Sequence, residues 1–181
     1  MPDQDKRGGL VASGKDGGKP AKPLLPNLNV CGDIGLKIAR DGTWYYQGSP
    51  IGRQPLVKLF ATVLRREDDG FYLVTPVEKV PIAVEGEPFI AVEMTRKGTG
   101  RDQRLTFRTN VDDVVTAGPD HSIGFRAEPE GGHAPYVEVR GGLRAQLARP
   151  VYYELTELAT ETGQGTGVWS GGAFFPFPME G

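Results

Sequence analysis

The sequence predicts a strand-rich α+β protein made of two packed halves. Three observations carry this. Alternating apolar and polar residues recur in short runs, as where Ile34, Leu36 and Ile38 interleave with Gly35, Lys37 and Ala39. Glycine and proline are frequent, 26 and 15 of 181 residues, too many for a helical bundle and too irregular for collagen. Only two segments switch to a helical period.

Residues 1–23 read as a disordered leader. They mix charge with glycine and hold no large apolar cluster, so ordering entropy goes uncompensated. They also lack the apolar core of a signal peptide. Order is expected from Leu24. The strand at Ile34–Ile38 runs into Asp41-Gly42, a strong hairpin signal, and Trp44-Tyr45-Tyr46 favours a second strand. Leu56, Leu59, Phe60, Val63 and Leu64 then recur at helical spacing. Pro55 suits the start of that helix, Arg65 and Arg66 suit its C-terminal dipole, and Asp69-Gly70 stops it.

Strands resume at Phe71–Thr75, Lys79–Glu85, Phe89–Arg96 and Gln103–Arg108, separated by Gly-containing turns. Further strands are expected at Asp113–Ala117, Ser122–Ala127 and Tyr136–Arg140. A last helix is expected over 150–161, opened by Pro150, with Val151, Leu155 and Leu158 on one face. Residues 163–181 are Gly- and Pro-rich and carry Val168, Trp169, Phe174, Phe175 and Phe177 as anchors onto the body. The expected organisation is a leader (1–23), an N-terminal α+β half (24–80), a β-rich C-terminal half with a closing helix (81–162) and the aromatic C-terminal segment (163–181).

Two stretches look alike. Residues 44–59 and 137–155 both read strand, glycine, apolar residue, arginine, proline and amphipathic helix. Their separation is too long for a solenoid repeat, which leaves duplication of a strand–turn–helix unit or chance.

The segments CGDIGLKIARDGTWYYQGSPIGRQPLVKLFATVLRRE, LVTPVEKVPI, ARPVYYELTEL and GVWSGG resemble the proteobacterial domain-of-unknown-function family 1285. The resemblance covers about residues 25–175. It implies a compact α+β body with a repeated structural motif. It also implies a C-terminal half loosely like a pleckstrin-homology-type sheet closed by a helix. A ligand bound between the halves and a role in signalling are further implications.

Composition excludes several classes. No apolar run reaches the ~18 residues of a membrane span. The net charge of −2 disfavours duplex DNA as a partner. The single cysteine, Cys31, excludes an internal disulfide, and it reads as a buried thiol or as a redox-active one. A cytoplasmic protein is expected. His121 and His133 stand apart and no HExxH or CxxC occurs, so no metal and no cofactor are expected. Asp120-His121-Ser122 places triad residue types side by side, but triads assemble in space and not from sequence neighbours. The run Gly163–Gly167 follows a helix, which makes it a flexible link rather than a phosphate loop.

Arg53 and Arg149 each precede a helix opened by proline. A helix N-terminus attracts anions, and a guanidinium adds bidentate hydrogen bonds. Two such units facing each other would form an anion pocket, with Trp44, Tyr45, Tyr152 or Tyr153 stacking a ring and Asp33 nearby. The other reading has each arginine pairing a carboxylate such as Asp33 or Glu154 to fix a structural junction. The functional expectation is a ligand-binding or regulatory module for an anionic or nucleotide-like small molecule held between the halves. The alternatives are an adaptor that receives a protein partner on its β edges, and an enzyme using Asp33, Asp120 or His121.

Overall fold

The computed structural model describes residues 32–179 and the backbone of Asn29–Val30. The leader 1–23 and Cys31 lie outside the described residues. Two larger sheets and one small sheet make up the strand content. The first sheet contains β1 (Asn29–Val30), β2 (Leu36–Ile38), β3 (Trp44–Tyr46), β4 (Ser49–Pro50), β5 (Leu64–Glu67), β6 (Gly70–Val74) and β7 (Glu78–Val84). Its path runs β4-β3-β2-β7-β6-β5, and β1 lies parallel to the start of β7. The helix α1 (Gln54–Val63) lies between β4 and β5 in sequence.

The second sheet holds β8 (Phe89–Lys97), β9 (Arg104–Thr109), β10 (Val114–Thr116), β11 (Ile123–Ala127), β12 (His133–Arg140) and β13 (Leu143–Leu147), ordered β10-β9-β8-β13-β12-β11. The helix α2 (Arg149–Glu157) follows β13. The chain ends in an antiparallel sheet of β14 (Thr160–Thr162), β15 (Gly165–Ser170) and β16 (Ala173–Pro176). Both larger sheets close in the same way. Each joins two antiparallel three-strand meanders through one parallel pairing, β2 to β7 and β8 to β13.

The strand–turn–helix likeness in the sequence does not map one sheet onto the other. Helix α1 leaves β4, an edge strand of its sheet, whereas α2 leaves β13, an inner strand of the other. The division of the sheets falls between Val84 and Phe89. Position 80/81 lies inside β7, which continues because Ala83 and Val84 pair with Lys37 and Ile38.

The structure differs from the sequence expectations at four places. Helix α1 stops at Val63, and Leu64–Glu67 turn into a strand paired with Gly70–Leu73. Burying Leu64 completely in this hairpin outweighs continuing the helix. Residues 143–147 form β13, whose buried Leu143, Ala145 and Leu147 alternate with half-buried Arg144 and Gln146. Gly141 and Gly142, with φ of 55° and 77°, make the two-residue turn that feeds it. Gly163–Gly167 is no flexible link: it forms the turn and first half of the β14–β15 hairpin. The second helix is shorter than expected, ending at Glu157 before β14 begins.

One continuous apolar core runs under both halves. It includes Leu36, Ile38, Trp44, Val57 and Leu64 from the first and Phe89, Phe107, Val137, Leu143 and Leu155 from the second. In α1 the buried positions are Val57 and Ala61, while Leu59 remains 60% exposed. The C-terminal sheet docks through Ser170. Its buried hydroxyl accepts the Leu105 N–H at 2.9 Å and donates to the Ala117 carbonyl at 2.8 Å. Val168 and Phe175 are the buried anchors of this segment, with Phe177 half-buried.

The halves meet where the β2–β3 turn presses on the second sheet. A Cβ at Gly42 would lie 2.8 Å from both Asn110 Nδ2 and Ile90 Cγ1, and Gly42 has φ +86°. Asn110 is fixed there because its Oδ1 accepts the Ile90 N–H at 3.0 Å. Gly42→Ala is therefore expected to destabilise the protein by roughly 1–3 kcal/mol, from both backbone strain and overpacking. Gly48→Ala, at φ +82° in open space, carries only the strain and serves as the control. Urea unfolding of both variants checks this. Equal losses would show that the close approach at Gly42 contributes nothing.

Candidate functional site

The structure separates the two arginines singled out by sequence. Arg53 borders an apolar cleft on the first sheet, and Arg149 lines another between the C-terminal half and the β2–β3 turn. Neither guanidinium pairs with a carboxylate among the described residues. Asp33 instead accepts the Gly35 N–H at 2.8 Å, and Glu154 is exposed. Trp44 is a core residue, 1% exposed and stacked on Phe60 at 6.2 Å. Tyr45 is half-buried under the Lys37 ammonium, 5.3 Å from its ring centre. Tyr153 is exposed, while Tyr152 lines the Arg149 cleft.

Arg149 is the first residue of α2, directly before Pro150. Ala148 supplies no side-chain cap, so the helix N-terminus opens without one. Two connected hollows of about 360 and 660 Å³ meet here and share Gly132, His133 and Tyr152. The smaller is bordered by Arg40, Glu128, Gln146 and Arg149, and the larger by Thr166, Phe177 and Met179. Tyr152 packs edge-on against Phe125 at 6.3 Å, and Phe125 against Phe177 at 5.5 Å. The aromatic floor of the site is thus Tyr152 and Phe177, held by Phe125, which packs against both rings and lines neither hollow. Gln146 Oε1 is shielded from solvent and accepts no hydrogen bond.

A chain of ion pairs braces one wall. Arg40, from the first half, binds Glu128 at 3.0 Å. Arg126 binds Glu128 at 2.6 Å and the nearly buried Glu87 at 2.9 Å. The Arg126 and Arg40 guanidiniums hold the Glu128 carboxyl below the usual carboxylate range. Glu128 in turn, with help from Glu87, holds Arg126 above its ordinary value. Three guanidiniums therefore face two carboxylates, and the uncompensated charge sits on Arg149.

A second seam cleft, of about 320 Å³, is lined by Thr62, Arg65, Asp113 and Arg140. Its cations are already engaged. Arg140 Nη2 donates to the Ala61 carbonyl at 2.6 Å, and Arg65 Nη1 to the carbonyls of Leu64 and Thr62 at 2.8 and 3.2 Å. The triad residue types do not assemble either. His121 Nδ1 lies 3.0 Å from the Glu138 carbonyl, and Ser122 donates to the Glu138 carboxylate at 3.3 Å.

Comparison with known proteins decides the family. Residues 25–87 match the model described as "Domain of unknown function (DUF1285), N-terminal domain". Residues 88–177 match "Protein of unknown function (DUF1285), C-terminal domain". The chain belongs to the DUF1285 family. It is similar to a DUF1285 family protein from Silicibacter pomeroyi DSS-3, at 48% identity and a TM-score of 0.80 over 89% of this chain and 88% of that one. A DUF1285 family protein from Shewanella baltica OS155 matches at 26% identity and a TM-score of 0.53, over 68% of this chain and 91% of that one. The chain matches no curated protein. The boundary between the DUF1285 domains falls at Glu87, the residue that anchors Arg126 and through it the braced wall. Among the described residues no helix is long and apolar enough to cross a membrane.

Arg40, Glu128 and Gln146 are polar lining residues that sequence reading does not single out, and His133 enters it only as a metal-ligand candidate. The turn Glu128-Pro129-Glu130-Gly131-Gly132 is a local signal for a loop, but only folding places it beside Arg40, 88 positions away.

The depressed Glu128 acid group makes a pH prediction. Its pairing stabilises the fold above the ordinary carboxylate range and is lost as pH falls through the lowered folded value. Glu128→Gln is expected to lower the urea midpoint at neutral pH and to converge on the wild type in acid. A difference that persists unchanged in acid would assign the effect to packing rather than charge.

Proposed function

We propose that this DUF1285 protein is a ligand-binding regulatory module whose site is the cleft around Arg149. The observation that carries the reading is a guanidinium without a carboxylate partner, placed on an aromatic floor at the opening of α2. The ligand class that fits is a small anion joined to a planar ring, as in a nucleotide. Arg149 binds the anionic group by paired N–H donors. Tyr152 offers a ring face or edge to the planar part. Each hollow lies within the size range of small-molecule sites.

The braced wall joins the site to both halves. Arg40 reaches it from the first sheet and Glu128 from the second. An anion beside Arg149 competes for Arg40 and alters the tie between the halves, which is how binding would be passed on as a signal. The pleckstrin-homology-type likeness of the C-terminal half is part of this reading. It is supported only by layout, in which α2 packs beside a sheet of two three-strand meanders. Trp44 and Arg53, placed in the core and on another cleft, have no part in this site.

Thermal shift tests the proposal, with inorganic phosphate, AMP, ATP and a cyclic dinucleotide as probes. A ligand at ~100 times its Kd raises Tm by roughly 5–10 °C for a chain of this size. At least one nucleotide is expected to do so. Arg149→Ala should abolish the shift with the unliganded Tm unchanged, because its guanidinium has no side-chain partner among the described residues. A shift that survives Arg149→Ala, or none across the panel, overturns this assignment.

A further inference from the structure

The cleft beside Arg53 differs in chemistry from the Arg149 site. Its volume is about 530 Å³. The walls are Leu36, Ile51, Leu56 and Phe60, and Ile34 and Tyr46 form a rim that remains 38% and 46% exposed. Phe60 is held in place by stacking on the buried Trp44 ring. Among the described residues, Arg53 is the one charged side chain lining the cleft, and no carboxylate pairs with it. An exposed group of large apolar side chains in one concave place calls for an occupant.

The polar inventory narrows the choice. The adjacent strand β4 is two residues long and one of them, Pro50, has no N–H. It therefore offers an extended peptide almost no ladder, and a peptide backbone left unpaired in an apolar cleft is costly. An aliphatic chain has no polar groups to satisfy along its length. One anionic head matches the one cation present, and a carboxylate matches the guanidinium fork in geometry. We infer that this cleft binds a monomeric aliphatic carboxylate, its chain lying between α1 and the β2–β4 strands and its head on Arg53. This site is independent of the nucleotide-type cleft, shares no lining residue with it, and stands or falls separately.

Titration calorimetry tests it, using laurate below its micelle concentration, with dodecanol and butyrate as comparison probes. Saturable binding of one laurate per chain is expected, with dodecanol weaker for want of the charge and butyrate weaker for want of the chain. Arg53→Gln should weaken laurate by roughly tenfold or more, the loss of a charge-assisted hydrogen bond. Arg53 makes no side-chain cap bond to α1, so this variant keeps the helix intact. Ile34→Glu places a like charge on the exposed rim and should abolish laurate binding with circular dichroism and Tm unchanged. Laurate binding that is non-saturable, or equal in wild type and Arg53→Gln, overturns the inference. So does dodecanol binding as tightly as laurate, since the cleft would then read chain length and not charge.

Discussion

In each large sheet two antiparallel three-strand meanders are closed onto each other by a parallel pairing, β2 to β7 or β8 to β13, and the placement of both proposed clefts follows from that. The closures are short. Two residue pairs join β2 to β7, and three join β13 to β8. Short parallel ladders contribute little by themselves. They persist because apolar residues on both sides of each closure, Leu36 and Ile38 on β2 and Phe89, Ala91, Ala145 and Leu147 on β8 and β13, are buried in one core. Closure fixes where α2 begins, since the Ala148 N–H donates to the Ala91 carbonyl at 3.0 Å as β13 ends. That bond sets Arg149 and Tyr152 at the cleft. On the first sheet, closure holds β2 and β3 in register, with Ile38 opposite Trp44, and so forms the back wall of the apolar cleft.

The seam between the halves is tight and polar at its edges. Arg140 crosses it to the Ala61 carbonyl, Arg66 to the Gly142 carbonyl at 3.1 Å, and Lys58 to Asp112. Most of these groups are exposed, so each ion pair adds little to stability. Their effect is to fix orientation over a shared core. The Glu87–Arg126–Glu128–Arg40 chain differs because Glu87 is nearly buried and cannot be left unpaired without a large cost. It is the one electrostatic link that begins at the domain boundary and ends at the cleft.

Much of the fold was legible in the sequence. The Asp41-Gly42 turn and the proline-opened helices are local signals that local structure follows, while the alternation at Ile34–Ile38 holds only from Leu36, because Gly35 at φ +79° breaks the strand and leaves Ile34 exposed. Leu64–Glu67 misled because Leu64 continues a helical period and a strand period equally well, and only pairing with β6 decides. Strand β13 was legible in principle from Leu143, Ala145 and Leu147 after a Gly-Gly turn. The site was half legible. Arg149 and Tyr152 carry a local pattern, but Arg40, Glu128 and His133 reach the cleft through strand pairing distant in sequence. Arg53 shares that pattern and faces a different cleft, because α1 and α2 leave their sheets from different strands.

The central claim is that the Arg149 cleft binds an anion joined to a ring. Two-dimensional NMR of the ¹⁵N-labelled protein, titrated with AMP, tests it most directly. The account predicts saturable shifts concentrated on the amides of residues 131–133, 146, 149, 151 and 152. Shifts centred instead on residues 62–65 and 140–143, or spread without saturation, would contradict it.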